Sequence, residues 1–287
     1  MTARQKILAS LAPLAVLGGV VWEICRPRIP DPIYEGKPLS YWFSTYKIAV
    51  SIPPPTVKAD SAVRHAGTNA IPLLLQYLSA HDSVFKLKMM NWVAKQRIIR
   101  FPLDYAENRR FQAESGFQAL GSEGSSAVPE LIRIHEMTSS QDCRYIIIET
   151  FGWIGSGAEE AVPLVFQAAT NSDPIFRLLA IRTLGQMHVQ PVKSVSVLTG
   201  ALKDPSPWLR LTAVKGLENF GPQAKEAVPD LMKLRIETHS WEIEHAGEWW
   251  TGPQPPRTWD IDEALQKIDP IAAAKAGIQT TNASPTQ

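Results

Sequence analysis

The sequence predicts an all-α fold: a right-handed α-α superhelix of stacked helical hairpins, with an apolar helix at the N-terminus. Three observations lead to it. An arginine recurs at even spacing, at 144, 177 and 210. An Ala-Val-Pro tripeptide is interleaved with it at 127–129, 161–163 and 227–229. Glycines at 121, 155 and 221 stand eight residues before each of those prolines. Hydrophobic residues make up 45% of 287 residues, enough for a core that a repeat protein spreads along one axis.

Residues 1–24 read as a membrane anchor or signal segment. Arg4 and Lys6 precede an uncharged run from Ile7 to Trp22. A membrane span needs about 17–25 residues, so the run lies at the lower limit. Pro13, Gly18 and Gly19 are tolerated in such helices. Glu23, Ile24 and Cys25 do not make a small-x-small cleavage site, which favours an uncleaved anchor over a cleaved signal. The N-terminal amine adds to Arg4 and Lys6 against Arg26 and Arg28, and tips the orientation toward N-in.

Residues 25–60 read as a Pro-rich linker. Pro27, Pro30, Pro32, Pro38 and Pro53 to Pro55 break any long helix. Within it Leu39-Ser40-Tyr41-Trp42-Phe43 is a short aromatic patch, with Ser40 expected to cap a helix that docks on the first repeat.

Residues 61–275 carry the solenoid. Asp142, Asp173 and Asp204 open one helix of each unit as caps, and Pro174 and Pro205 follow where no N–H is needed. Apolar residues then recur at helical spacing up to a glycine, expected to end the helix in a left-handed conformation. The proline of Ala-Val-Pro opens the second helix, and Leu131, Leu164 and Leu231 follow it into the packed face. Ala70-Ile71-Pro72 is a diverged copy, and Ser194 to Leu198 occupies the same slot without its proline. One hairpin cannot bury its apolar face alone, whereas a stack of them buries a continuous core.

The Asp…Arg…Gly and Ala-Val-Pro-x-Leu pairing resembles HEAT repeats and the HEAT-like repeats of the phycobilin-lyase type. The likeness is clear over 108–238 and thinner over 60–107 and 256–275. Ala264 to Pro270 reads as a capping half-repeat. Gly36-Lys37-Pro38-Leu39-Ser40-Tyr41-Trp42 with Gly67 to Pro72 is similar to membrane-anchored bacterial HEAT-repeat proteins. The resemblance implies an armadillo-like scaffold, or alternatively a lyase that handles a chromophore. Residues 276–287 read as a disordered tail.

Two stretches break the period: 84–110, helix-like and basic, and 239–257, expected as a loop. In solenoids such insertions gather on the binding face. The first carries seven cations, among them Lys88, Lys95 and Arg97, against two acids. The second brings Trp241, Trp249, Trp250 and Trp259 close together in sequence, with Pro253, Pro255 and Pro256 between them. Aromatic rings and arginines anchor partners, so Trp241, Trp249, Trp250, Trp259, Lys88, Lys95 and Arg97 are the candidate partner-binding residues.

Little else carries chemistry. A net charge of +1 speaks against general nucleic-acid binding. Cys25 and Cys143 form no metal-binding pattern. His135-Glu136 is read as a surface pair, and His239, Glu242, Glu244, His245 and Glu248 lack His-Glu-x-x-His spacing. No nucleotide-binding or hydrolase motif occurs. The expectation is a non-catalytic scaffold for a protein partner. It has no cofactor and is anchored in a bacterial inner membrane, with its repeats outside the cytoplasm.

Overall fold

The computed structural model describes residues 29–46, 56–95, 105–245 and 256–278. The expected anchor lies outside them. Among the described residues no helix is long and apolar enough to cross a membrane.

A short antiparallel hairpin comes first, β1 (Ile33–Tyr34) against β2 (Lys37–Pro38). Helix α1 (Leu39–Phe43) follows. Its cap is Asp31 and not Ser40: Asp31 Oδ1 accepts the Ser40 N–H at 3.0 Å, and Oδ2 accepts its hydroxyl at 2.6 Å. Ser40 already lies inside the helix, where the Pro38 geometry places it. Leu39, Trp42, Phe43 and Tyr46 are buried, so the aromatic patch closes this end of the core.

The hairpins follow in pairs. Helices α2 (Thr56–Ala66) and α3 (Ile71–Leu78) form the first, and α4 (Val84–Lys95) leaves the stack. Then come α5 (Ala106–Leu120) with α6 (Val128–Met137), and α7 (Gln141–Ile154) with α8 (Val162–Ala169). Next are α9 (Pro174–Met187) with α10 (Pro191–Ala201), and α11 (Pro207–Phe220) with α12 (Val228–Glu244). Helices α13 (Thr258–Ile268) and α14 (Pro270–Lys275) end the described chain. One apolar cluster runs from Leu39 to Ile278.

The Pro-marked starts of α3, α6, α8 and α12 are as the sequence predicts, with proline in the first helical turn. Four details differ. The glycines do not adopt the left-handed helical conformation: Gly121, Gly155 and Gly221 have φ of 58, 72 and 53° with ψ of −133, −138 and −133°. That region is close to glycine-only. It throws the chain into a 3-10 segment of seven residues that reaches the second helix. Helix α10 does have its proline, Pro191, five residues ahead of the position expected for it at Ser196. No glycine ends α9; His188 and Gln190 take the left-handed conformation instead, φ 55 and 44°. The capping residue of α7 is Ser140, not Asp142, and α11 starts after Ser206, not Asp204.

The first helices α5, α7, α9, α11 and α13 pack directly on one another and form the spine. Glycine allows the closest crossing: a Cβ on Gly185 would lie 2.6 Å from the Gly216 Cα. A row of charges crosses this spine. Glu149 pairs with Arg182 at 2.7 Å, and Lys215 pairs with Glu218 and Asp260 at 3.1 and 3.4 Å. Glu114 is hydrogen-bonded to Glu149, and burial together with that neighbouring carboxylate pushes its pKa up to about 7.

Candidate functional site

The turns that lead into the first helices share one construction. Arg144 Nη2 donates to the Thr138 carbonyl at 2.8 Å. Arg177 Nη1 donates to the Asn171 and Ser172 carbonyls at 3.0 and 3.1 Å. Arg210 Nη1 donates to the Asp204 and Pro205 carbonyls at 2.9 and 3.1 Å. Each arginine thus reaches back six residues and satisfies carbonyls left open near a helix end. The repeated arginines are ties of the turn.

A fourth tie is hidden in the sequence. Arg110 Nη1 donates to the Ala80 carbonyl at 3.0 Å, 30 positions back instead of six. The extra length is the excursion that contains α4. Asp82 Oδ2 accepts the Ala106 N–H at 2.8 Å and so caps α5 from the far side of that excursion. The insertion is therefore shorter than 84–110. Arg110 belongs to the repeat, and Arg109 lies over the Tyr77 ring at 5.8 Å.

The same turns present a carboxylate to the preceding repeat. Asp142 faces Arg110 Nη2 at 4.0 Å. Asp173 accepts from Gln141 Nε2 at 2.7 Å and from the Tyr145 hydroxyl. Asp204 Oδ2 accepts from Arg177 Nη2 at 3.4 Å. Neither Arg144 nor Arg210 itself bonds a carboxylate among the described residues, and at Arg210 no carboxylate of a following turn meets its repeat either, although Arg210 holds its own two carbonyls as Arg177 does.

The helix lengths explain the omission. Helix α12 has 17 residues where α6, α8 and α10 have 10, 8 and 11, so it runs on through the place where a turn would form. Residues 239–244, expected in a loop, belong to it. Helix α13 has 11 residues where α9 and α11 have 14. Its Asp260, the third residue of α13, pairs with Lys215, the ninth of α11, whereas Glu149 and Arg182 pair ninth to ninth, so α13 begins beside the middle of α11. A cavity of about 610 Å³ opens beside the first turn of α11.

Pro205, Pro207, Leu234 and Trp241 give this cavity apolar walls, and Thr238 and Arg210 give it polar ones. Its acids are matched: Lys203 pairs with Asp230 at 2.9 Å, Lys233 with Glu237 at 3.9 Å, and Arg177 holds Asp204. Trp241 stacks on His245 with ring centroids 4.5 Å apart.

Of the candidate partner-binding residues, Trp241 lines the cavity. Trp259 does not; it is 60% exposed, with Lys215 Nζ 5.5 Å from its ring. Lys88 is exposed on α4, away from the cavity lining. Trp249, Trp250 and Arg97 lie outside the described residues, as does the side chain of Lys95. Lys86 pairs with Asp82 at 2.5 Å. With Arg109 and Arg110 also engaged, at least three of the seven cations serve the fold. The repeat pattern identifies Arg210 only as a structural tie. Its open arm has no signal in the sequence, because the length of α12 and the docking of α13 create it.

Other polar candidates have structural partners. His135 is not a surface residue: it is 8% exposed and stacked on Phe176 at 5.9 Å, and burial lowers its pKa to about 4. Glu242 accepts the Thr258 N–H and hydroxyl at 3.1 and 2.6 Å and caps α13. Cys143 is buried, and burial raises its thiol pKa. Among the described residues no group of three or more His, Cys, Asp or Glu is placed to hold a metal ion.

The family model of HEAT repeats matches residues 162–249, from the Ala-Val-Pro start of α8 through α12. No curated protein matches the sequence. The stacked hairpins form an all-α solenoid, and over residues 162–249 it is similar to HEAT repeats.

Proposed function

We propose that the chain is a non-catalytic scaffold that binds a protein partner and is tethered by residues 1–24 to a bacterial inner membrane, with the repeats outside the cytoplasm. The observation that carries the reading is the open cavity beside α12, set in a HEAT-like solenoid whose regular polar residues are used in turns and caps. HEAT repeats commonly mediate protein–protein interactions. The cavity combines apolar walls, an aromatic ring and an arginine, the residue types that dominate binding energy at interfaces. The anchor is supported by the apolar run Ile7–Trp22 alone.

Crosslinking in cells tests the scaffold. A reproducible partner crosslinked through residues placed at Trp241 or Lys233 supports it, and crosslinks to none overturn it. Fractionation tests the tether: full-length chain released without detergent contradicts it. The lyase alternative rests on resemblance only. Pigment bound stoichiometrically to the purified chain would favour it over the scaffold.

A further inference from the structure

We infer that the cavity at the first turn of α11 receives an acidic side chain from an extended segment of the partner, whose carboxylate meets Arg210 as Asp204 meets Arg177. This rests on the scaffold reading above and names the chemistry of the partner.

The argument starts from the repeat register. Arg177 and Arg210 hold equivalent positions in successive units and use Nη1 in the same way, each on two carbonyls of the turn five and six residues behind. Arg177 then gives Nη2 to the carboxylate of the next turn. In three successive turns the preceding repeat receives that carboxylate: Asp142 near Arg110, Asp173 at Gln141 and Tyr145, Asp204 at Arg177. At Arg210 no described residue supplies that carboxylate, since α12 is helical through Glu244, and the cavity lies beside it. A guanidinium is a rigid fork of donors, so fixing Nη1 leaves Nη2 set in direction for a carboxylate.

Charge and shape both favour an acidic peptide. The lining holds Lys203, Arg210 and Lys233 against Asp204, Asp230 and Glu237. Asp204 is already held by Arg177 from outside the cavity, and Lys203 and Lys233 each have an acid of their own. Among the lining residues one positive charge, that of Arg210, is left over. A volume of about 610 Å³ falls within the range of roughly 300–1,000 Å³ usual for ligand sites. Leu234, Trp241 and the two prolines offer apolar contact to the residues on either side of the acid. A bare anion would use the arginine and leave those walls wet.

The test uses the full chain in detergent and an array of paired octapeptides. One member of each pair has a central Asp or Glu among apolar residues, and its twin has Asn or Gln. The expected result is that acidic members bind on the order of tenfold tighter than their twins, as one charge-assisted pair provides. Arg210→Gln should bring the acidic members down to the level of the twins, while Arg177→Gln leaves the preference intact. Thr238→Glu keeps Arg210 but brings an internal carboxylate into the cavity lining, and should abolish the preference; because Thr238 is buried, circular dichroism checks that the variant remains folded. The inference is overturned if twins bind equally well, if no pair binds, or if Arg210→Gln keeps the preference. It is also overturned if inorganic phosphate competes as well as the acidic peptides do. If Arg210→Gln still crosslinks the same partner in cells, the acidic-segment inference fails and the scaffold stands. If the wild-type chain crosslinks none, the scaffold itself fails.

Discussion

The two breaks in the repeat make an instructive pair. After α3 the chain departs on an excursion and returns to the point it left, because Asp82 caps α5 and Arg110 ties the Ala80 carbonyl across the gap. The turn is rebuilt from both sides of the excursion, and the spine passes it undisturbed. After α10 and α11 the break is of another kind. Helix α12 replaces the turn, α13 docks further along, and Arg210 keeps its carbonyls but lacks the next carboxylate among the described residues. An insertion that closes on itself adds a structure to a solenoid. One that displaces a turn removes a contact and opens a site.

This contrast can be broken at several points. The largest effect is expected in the spine between the two breaks. Gly185→Val places side-chain atoms where even a Cβ would lie 2.6 Å from backbone, so it should cost about 3 kcal/mol or more and lower the melting temperature sharply. A melt within error of wild type would mean that α9 and α11 do not cross so closely.

The closed break is tested by Asp82→Ala. It removes the cap on Ala106 and the partner of Lys86, and should cost about 1–2 kcal/mol in denaturant titrations. The same residue gives a sign in pH. Burial raises the Asp82 pKa, but the bonds from Lys86 and Ala106 outweigh it and hold the carboxyl below its ordinary value. Its contribution is then full above the unfolded pKa near 3.8 and is lost as pH falls through the lower folded value. Stability of the variant should converge on wild type at the acid end of the range. A constant gap would show that the cap does not depend on the charge.

Arg177→Gln and Arg210→Gln compare the complete turn with the incomplete one. The first loses carbonyl bonds and a carboxylate, the second only carbonyl bonds, so Arg177→Gln should be the more destabilising by about 1 kcal/mol. Equal losses in chemical denaturation would mean that the Asp204 contact adds nothing.

The smallest effect concerns the charged row next to the closed break. The folded pKa of Glu114, about 7, lies above its ordinary 4.5, so the folded chain retains this proton after the unfolded chain has lost it. Stability from it is full below pH 4.5 and is lost as pH rises through 7. Glu114→Gln should flatten that window and gain ~1 kcal/mol at pH 8, discounted for partial exposure. His135 acts in the opposite sense. Its folded pKa of about 4 means stability lost as pH falls below 6.5, so the comparison is best made in a His135→Phe background. An unchanged pH profile in Glu114→Gln would remove Glu114 from the row.

By itself the sequence determined the repeat. The even spacing of Arg144, Arg177 and Arg210, the prolines at 129, 163 and 229 and the glycines at 121, 155 and 221 are all local devices. Each acts on its own turn or helix start, so each can be read without knowing what packs against it. The length of α12 is only partly legible, since the prolines at 253, 255 and 256 mark the stretch 239–257 as a loop. Tertiary structure alone decided the rest: Arg110 as a tie rather than part of a basic patch, His135 in the core, α13 shifted along α11, and the open arm of Arg210. These depend on groups that meet from distant parts of the chain, Arg110 with Ala80 and Lys215 with Asp260. Spacing within one hairpin carries no information about such meetings, because docking one helix on another is settled by the shape of the surfaces that touch.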